Sequence, residues 1–492
     1  MDLTPLKEFL RDNNELLIID SFGRTTSLKA SEIELENKRG NVLFGFPTNA
    51  GWNTSRLNSF EINRANVNLI VTQNFGTKRS SLKIVARISP ADLAANIEFA
   101  RIEMANKYAN EIVKADLAQK LERVELNKEN SRIATVTLVA ANKTRTACFI
   151  DLTQKLSAEA LLATSLLAMQ KLSSRKKARV DQFRIYKFNA MPLQKLIACF
   201  EVQNLKVFEL KHIEFEPAKS FNLNQLWRQK PGKLLFDSSV ARSDFSRNLA
   251  KFLEIQHIFS HHGETLKYKG LPFCRIRKIG GEEKVWFGVG NKRKRLTAKN
   301  LCEFELLLDE LQNKRVNTAK NLQHIYFSEA PEAWLEAKLC ENIKTLDQNL
   351  VLSPIYNQFR TSRDRIDLLA LRTDGRLIII ELKVAPDREM LFQAADYWWK
   401  IELQRRKGIL ARADLFGGKV IADKPAIIYL VTPIFGFHIL NKTFARHLQK
   451  EIEVHRFELK NNWREEISVI KREGLQRLNP ITPGIYGSSR MR

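Results

Sequence analysis

The stretch RIDLLALRTDGRLIIIELK, residues 365–383, decides the fold of the C-terminal part of this chain. Two apolar runs flank the tripeptide TDG at 373–375, and a short loop that ends in glycine is a common connection between antiparallel strands. With that loop, Asp367 faces Glu381 across the hairpin, because cross-strand partners share a face of the sheet. Lys383 lies two residues beyond Glu381 and therefore shares this face.

Both strands of this hairpin are apolar on both faces, which is typical of central, buried strands. Two carboxylates and an ammonium are costly to bury at the end of such a hairpin unless something offsets their charge. A divalent cation between Asp367 and Glu381 would do so. A plain cross-strand cluster of ion pairs would do so as well, and the residues alone leave both interpretations open.

An Asp that precedes an apolar hairpin, followed by Glu-x-Lys at the end of its second strand, resembles the PD-(D/E)XK nuclease superfamily. The resemblance implies that Asp367 and Glu381 hold Mg²⁺, for which Mn²⁺ can substitute. It also implies that Lys383 orients or activates the attacking water. Ile366 stands where the motif name has proline, which lowers the specificity of the match. Beyond the superfamily, this part of the chain looks like an uncharacterised bacterial member.

Two flanking segments strengthen the resemblance. The segment SEAPEAWLEAKLCENI predicts a helix with Ser328 as its N-cap. The family supplies a further acid from such a helix, which implies Glu336 as a metal ligand, with Glu332 one turn earlier as the alternative. Downstream, FQAADYWWK places Gln393 and Tyr397 on one helix face and resembles the Q-x-x-x-Y element of the RecB-type branch. The resemblance implies that this pair contacts the metal site or the nucleic acid. A surface acid and plain packing at the end of the sheet are the simpler alternatives for these two segments.

The element order agrees with this resemblance, and we predict an α/β multidomain fold. The expected αβββαβ core, with a mixed central sheet, has helices at 331–345 and 388–407 and strands at 349–358, 365–372, 376–383 and 425–432. An additional edge strand is expected in EIEVHRFEL. The predicted domains are two α+β domains at 1–125 and 126–240, a basic hairpin-plus-helix region at 241–320, the nuclease domain at 321–475 and a disordered tail at 476–492.

The charge of the chain indicates a polyanionic partner. There are 80 Lys and Arg against 55 Asp and Glu, a net charge of +25, of which residues 1–320 carry +19 and residues 321–492 carry +6. Nucleic acid is the first candidate for such a partner and an anionic membrane surface the second. Two basic runs are predicted to contact phosphate, although a solvated face is the simpler alternative: Arg175, Lys176, Lys177 and Arg179, and Lys292, Arg293, Lys294 and Arg295.

The remaining composition narrows the class of protein. Five cysteines occur without a C-x-x-C pair, which argues against a disulfide framework. No apolar run is long enough to span a membrane, so we expect a cytoplasmic protein. Taken together, the sequence predicts a Mg²⁺-dependent nuclease acting on DNA, in defence against foreign DNA or in repair, with the basic N-terminal half holding the substrate. A non-catalytic nucleic-acid-binding protein on a degenerate nuclease fold, and a ribonuclease, are the alternatives.

Overall fold

The computed structural model divides into two compact units, 1–194 with 203–220, and 195–202 with 221–492. Lys176, Ile366 and the predicted tail lie outside the residues that the structure describes. Those residues are 2–38, 40–48, 51–63, 66–73, 79–86, 90–129, 131–175, 177–231, 243–251, 253–260, 263–279, 282–290, 292–318, 320–352, 360–361, 364–365 and 367–475.

The first unit begins with helix α1 (Thr4–Asp12) and a seven-stranded antiparallel sheet in the order β2-β1-β7-β6-β5-β4-β3. Alternating apolar residues of these strands form its core, which α1 covers with Leu6, Phe9 and Leu10. The strands are β1 (Glu15–Asp20), β2 (Thr25–Lys29), β3 (Glu34–Lys38), β4 (Asn41–Thr48), β5 (Gly51–Asn63), β6 (Asn66–Gln73) and β7 (Arg79–Ala86), with a 3₁₀ turn at Ala30–Glu32.

The second sheet of this unit is mixed and has the order β13-β12-β11-β10-β9-β8. The elements of this region are α2 (Pro90–Ala115), β8 (Gln119–Leu126), β9 (Ile133–Ala140), β10 (Arg145–Asp151), α3 (Ala158–Ser173), β11 (Gln182–Lys187), α4 (Met191–Ile197), β12 (Leu205–Lys211) and β13 (Glu214–Pro217). Residues 195–197 of α4 belong to the second unit. The side chain of Ser157 accepts a hydrogen bond from the Ala160 N–H and caps α3. Strand β8 pairs with β9, so residue 125 lies within this sheet. The predicted domain boundaries stay predictions.

The second unit contains a five-stranded antiparallel sheet in chain order from β14 to β18. The predicted hairpin of β16 and β17 is confirmed by the pairing of Ile279 with Glu282. The elements of this region are α5 (Leu223–Trp227), α6 (Asp244–Leu249), β14 (Gln256–Ser260), β15 (Gly263–Tyr268), β16 (Leu271–Ile279), β17 (Glu282–Phe287), β18 (Lys294–Arg295), a 3₁₀ turn (Ala298–Asn300) and α7 (Leu301–Lys314).

The last sheet has six strands in the order β19-β22-β23-β24-β25-β26, with β23, β24 and β25 parallel to one another. Its buried core includes side chains from all of its central strands and from the helix that precedes it. The elements are α8 (Ile325–Ser328), α9 (Pro331–Glu341), a 3₁₀ turn (Ile343–Thr345), β19 (Leu350–Leu352), β20 (Arg360–Thr361), β21 (Asp364–Arg365), β22 (Leu368–Arg372), β23 (Leu377–Leu382), α10 (Met390–Arg406), α11 (Ile409–Arg412), β24 (Ile427–Pro433), α12 (Asn441–Ala445), β25 (Glu453–Leu459) and β26 (Val469–Gly474).

The expected αβββαβ order is confirmed as α9, β19, β22, β23, α10 and β24, with the short pair β20–β21 inserted before β22. The hairpin register is also confirmed, since Leu368 pairs with Ile380. Gly375 takes the left-handed conformation at φ +81°, as the three-residue loop requires. The strand EIEVHRFEL exists as β25, but its expected place at the edge is wrong because β26 pairs with its outer side.

The start of α9 differs from the sequence prediction. Ser328 is the last residue of α8 and does not cap α9. The N-cap position is instead held by Ala330 in the left-handed conformation, with Pro331 as the first helical residue. Proline fits that place because it has no N–H to satisfy. The left-handed turn therefore sets which residues form the first turn of α9.

A buried arginine holds this left-handed turn in place. Arg315 is fully buried, and its guanidinium lies 4.5 Å from the centre of the Trp334 ring. Burial lowers the pKa of Arg315 to about 10, so the group stays charged at neutral pH. Its N–H groups donate to the backbone carbonyls of Lys269, Tyr326, Glu329 and Ala330. One side chain thus ties the β15–β16 turn to the segment that starts α9.

Candidate active site

The hairpin brings two of the predicted acids together at one end of the sheet. The backbone N–H of Leu382 donates to the Asp367 Oδ2 atom at 2.9 Å, which anchors the carboxylate beside β23. Glu381 is the penultimate residue of β23, and Lys383 directly follows that strand. The Lys383 N–H donates to the Val431 carbonyl of β24. Both neighbouring strands therefore fix the backbone that carries these side chains.

Glu381 and Lys383 form a buried ion pair. The Lys383 Nζ atom lies 3.0 Å from the Glu381 Oε1 atom, while Glu381 as a whole is 2% exposed. The Glu381 Oε2 atom is buried and makes no hydrogen bond to any residue that the structure describes. Native proteins rarely leave a buried carboxylate oxygen unpaired, so this oxygen is suited to binding a cation.

The charges around this pair are not balanced. Burial raises the pKa of Glu381 well above its usual range, and the Asp367 carboxylate adds to the rise, while the Lys383 ammonium opposes it. Burial alone would lower the pKa of Lys383, but the Glu381 carboxylate beside it raises that pKa overall. The cluster thus holds more negative charge than the single ammonium offsets.

Glu332, in the first turn of α9, belongs to this cluster. Burial raises the pKa of Glu332, and the carboxylates of Asp367 and Asp387 raise it further. The Lys383 ammonium and a hydrogen bond from the Val384 N–H act in the opposite direction. The charge of Glu332, which the sequence offered as the alternative helix acid, therefore acts on the site.

The first choice among the helix acids, Glu336, lies one turn further along α9. Its side chain is 5% exposed, and it follows Glu332 at helical spacing on the same face of the helix. Its role as a metal ligand stays a prediction. Asp387 was not among the predicted site residues, yet its Oδ2 atom lies 3.9 Å from the Lys383 Nζ atom. In the sequence, Asp387 could have been recognised by its position four residues after Lys383, in the turn before α10.

Gln393 and Tyr397 lie on one face of α10, which packs against β23 and β24. Both side chains are half-buried, whereas most of their helical neighbours are fully buried. The Gln393 Oε1 atom is buried and makes no hydrogen bond within the described ranges. A buried amide oxygen without a partner is suited to accept a hydrogen bond from a ligand. The proposed contact of this pair with metal or nucleic acid stays a prediction.

The donor chemistry of the cluster fits a hard divalent cation, since Glu332, Asp367 and Glu381 offer only carboxylate oxygens. The orphaned Glu381 Oε2 atom supports that fit. Among the described residues, no three His, Cys, Asp or Glu side chains are already grouped closely enough to hold a metal ion. The Lys383 ammonium lies close to two carboxylates in this arrangement, 3.0 Å from that of Glu381 and 3.9 Å from that of Asp387.

The two basic runs lie in separate units. In the first unit, Arg175, Lys177 and Arg179 are exposed in the loop that follows α3. In the second unit, Lys292, Lys294 and Arg295 are exposed and Arg293 is half-buried, and Lys294 Nζ lies 2.6 Å from the Glu303 carboxylate.

The aromatic neighbours of the second run differ in their surroundings. Trp286 pairs with Arg295 across β17 and β18 and is half-buried. Phe287 is 4% exposed and packs against Phe304, so its ring is not available to stack on bases.

Comparison with known proteins finds a structural likeness between this chain and a solved endonuclease structure. No protein-family model matches it, and no curated protein matches it. A solved structure of EndoMS in apo form is similar over 42% of this chain and 93% of that chain, at 12% identity and a TM-score of 0.17. Likeness at that level carries no argument about fold or activity. Among the described residues, no helix is long and apolar enough to cross a membrane.

Proposed function

We propose that this chain is a metal-dependent nuclease that hydrolyses phosphodiester bonds, with DNA as its substrate. The observation that carries the proposal is the carboxylate cluster at the end of β23. Glu381 is buried there with one oxygen unpaired, beside Asp367 and next to an ammonium on Lys383. A structural ion cluster normally satisfies its buried oxygens, whereas a metal site leaves them for the ion.

The roles of the residues follow from this arrangement. Glu332, Asp367 and Glu381 would hold Mg²⁺, with Glu336 as a further candidate. When bound, the ion polarises the phosphate and lowers the pKa of a water molecule. Lys383 supplies a positive charge beside the carboxylates, and that charge stabilises the negative charge that develops as the phosphodiester is attacked. The backbone hydrogen bond from Leu382 fixes the orientation of Asp367 before substrate arrives.

Two alternatives belong to other classes of function. A degenerate nuclease fold could bind nucleic acid without cutting it, but the presence of Asp367, Glu381 and Lys383 together in one cluster favours catalysis. A ribonuclease would need the same cluster, so the site does not distinguish the sugar of the substrate.

The first prediction concerns the metal. Purified protein should cleave DNA in Mg²⁺ or Mn²⁺ and should be inactive in excess EDTA. Zn²⁺ should support little activity, because the cluster offers no His or Cys ligand. Ca²⁺ should bind yet support little cleavage, since its coordination is looser. The measurement is gel electrophoresis of plasmid, linear duplex, single strands and RNA after incubation. Undiminished activity in EDTA would contradict the proposal, and cleavage of RNA alone would favour the ribonuclease.

The second prediction concerns the basic part of the chain, which we propose holds the substrate. Replacing Lys292, Arg293, Lys294 and Arg295 by alanine should weaken DNA binding about equally for all sequences. The slope of log affinity against log salt should flatten by about 0.9 for each phosphate that the variant no longer neutralises. The measurement is a salt titration of fluorescence anisotropy with the full chain in EDTA, so that no cleavage occurs.

A matched control removes the same charge elsewhere. Lys407, Arg412, Lys419 and Lys424 are exposed and lie in the less basic part of the chain. Their alanine variant should change the slope less than the variant at 292–295. Equal slopes for both variants would mean that only net charge matters and that the run at 292–295 makes no specific phosphate contact.

A further inference from the structure

A cavity of about 410 Å³ lies beside the candidate active site. Its lining includes Pro331, which precedes Glu332, and Val384, which follows Lys383. Pro433 at the end of β24 lines it as well. Volumes of this order hold small organic ligands. Residues directly adjacent in the chain to Glu332 and to Lys383 therefore line this cavity.

The cavity contains an arginine without an acidic partner. The Arg464 guanidinium lies 4.3 Å from the centre of the Trp463 ring and 4.6 Å from that of Phe327. Its Nε atom is buried and makes no hydrogen bond within the described part of the chain. No carboxylate among the described residues forms an ion pair with it. A cation held between aromatic rings with an unused donor suits an anionic or π-rich ligand.

A second feature of the lining is an aromatic side chain that is exposed to solvent. Phe435 is 85% exposed and adopts φ +62°, a conformation that bulky residues rarely take. The turn that carries it is closed by a hydrogen bond from the Gly436 N–H to the Pro433 carbonyl. Strained backbone of this kind is found at ligand-binding positions, where it fixes a side chain in place.

We propose that this cavity receives one unpaired nucleobase of the strand being cut, stacked on Phe435, with an adjacent phosphate against Arg464. The inference rests on the proposed nuclease function and names its substrate class. A base inside a duplex is stacked between its neighbours and cannot enter such a cavity, whereas a base in a single strand or a distorted segment can. The preferred substrate is therefore nucleic acid with an unpaired nucleotide next to the cleaved bond.

The test measures binding in EDTA, so that it does not depend on catalysis. A single-stranded oligonucleotide, a duplex with one unpaired 2-aminopurine and the fully paired duplex are titrated with wild type, Phe435→Ala and Arg464→Gln. The wild type should bind the two unpaired substrates more tightly and quench 2-aminopurine by stacking. Phe435→Ala should lose about 5- to 100-fold in affinity for them and lose the quenching, with unchanged affinity for the paired duplex.

Ile439→Ala is the matched control, because Ile439 is an apolar side chain of the same loop that is 87% exposed and does not line the cavity. It should bind all three substrates like wild type. Equal affinity of wild type and Phe435→Ala for the unpaired substrates would overturn the inference. A concentration-dependent dimer that Phe435→Ala converts to monomer would also overturn it, since a second copy would then cover the cavity. Absence of cleavage in Mg²⁺ with intact binding would refute only the nuclease proposal.

Discussion

Asp367→Ala, Glu381→Ala and Lys383→Ala should each reduce the rate of cleavage by at least about 100-fold, while binding of DNA in EDTA stays within a few-fold of wild type. The two acids are expected to hold the ion, and the ammonium is expected to stabilise the charge that develops on the phosphate. The measurement is the initial rate of cleavage in Mg²⁺ at saturating substrate. Wild-type rates in all three variants would refute the assignment of the site.

Melting experiments distinguish a loss of chemistry from a loss of folding. Burial raises the pKa of Glu381, so the folded protein takes up a proton there more readily than the unfolded chain does. In EDTA, the stability of wild type should therefore rise as the pH falls from above the folded pKa towards the ordinary carboxyl value. Glu381→Gln removes this charge and should melt at a higher temperature than wild type at neutral pH, with the difference shrinking in acid.

The melting experiment also tests whether Glu381 holds the metal ion. Mg²⁺ should raise the melting temperature of wild type, because an ion that binds only the folded state stabilises it. Glu381→Gln should respond much less, since a neutral amide is a weaker ligand. Equal stabilisation of both proteins by Mg²⁺ would mean that Glu381 does not hold the ion.

Arg315→Ala should destabilise the second unit by at least about 3 kcal/mol, because it leaves several buried carbonyl groups without a donor. Arg315→Lys should lower the stability nearly as much, since the compact ammonium of lysine cannot donate to all the carbonyl groups that the planar guanidinium reaches. Thermal unfolding followed by circular dichroism measures the loss. Arg11→Ala is the control, since the Arg11 side chain is 75% exposed and should change stability by less than about 0.5 kcal/mol. A small effect of both Arg315 variants would contradict the role given to this residue.

The part of the site that the hairpin determines was predictable from the sequence. The apolar runs and the Thr373-Asp374-Gly375 loop are local features, and they predict that Asp367 lies opposite Glu381 across the hairpin. This prediction agrees with the observed register of β22 and β23. The strand β26 was missed because its sequence VIKREG has little apolar character and most of it is exposed.

The start of α9 was not predictable in the same way. The helix begins after the left-handed turn at Ala330 rather than at a Ser328 cap, and Glu332 and Glu336 lie on the same face of it. Arg315 lies 15 residues before Ala330 and holds this turn through side-chain hydrogen bonds to its carbonyl groups, which no local sequence pattern indicates. The same holds for Phe435 and Arg464, whose segments meet only in the folded protein.

The contacts of Arg315 also bear on how such a chain can be rearranged in evolution. The junction between residues 320 and 321 separates a basic segment from the motif-bearing segment, and gene fusion or domain exchange would be expected to break there. Arg315 lies before that junction, yet it supports the backbone of Tyr326 and Glu329 after it. A recombinant that joined the C-terminal segment to a new neighbour would inherit Glu332 without the arginine that holds the turn at the start of its helix. The two segments are therefore expected to be inherited together.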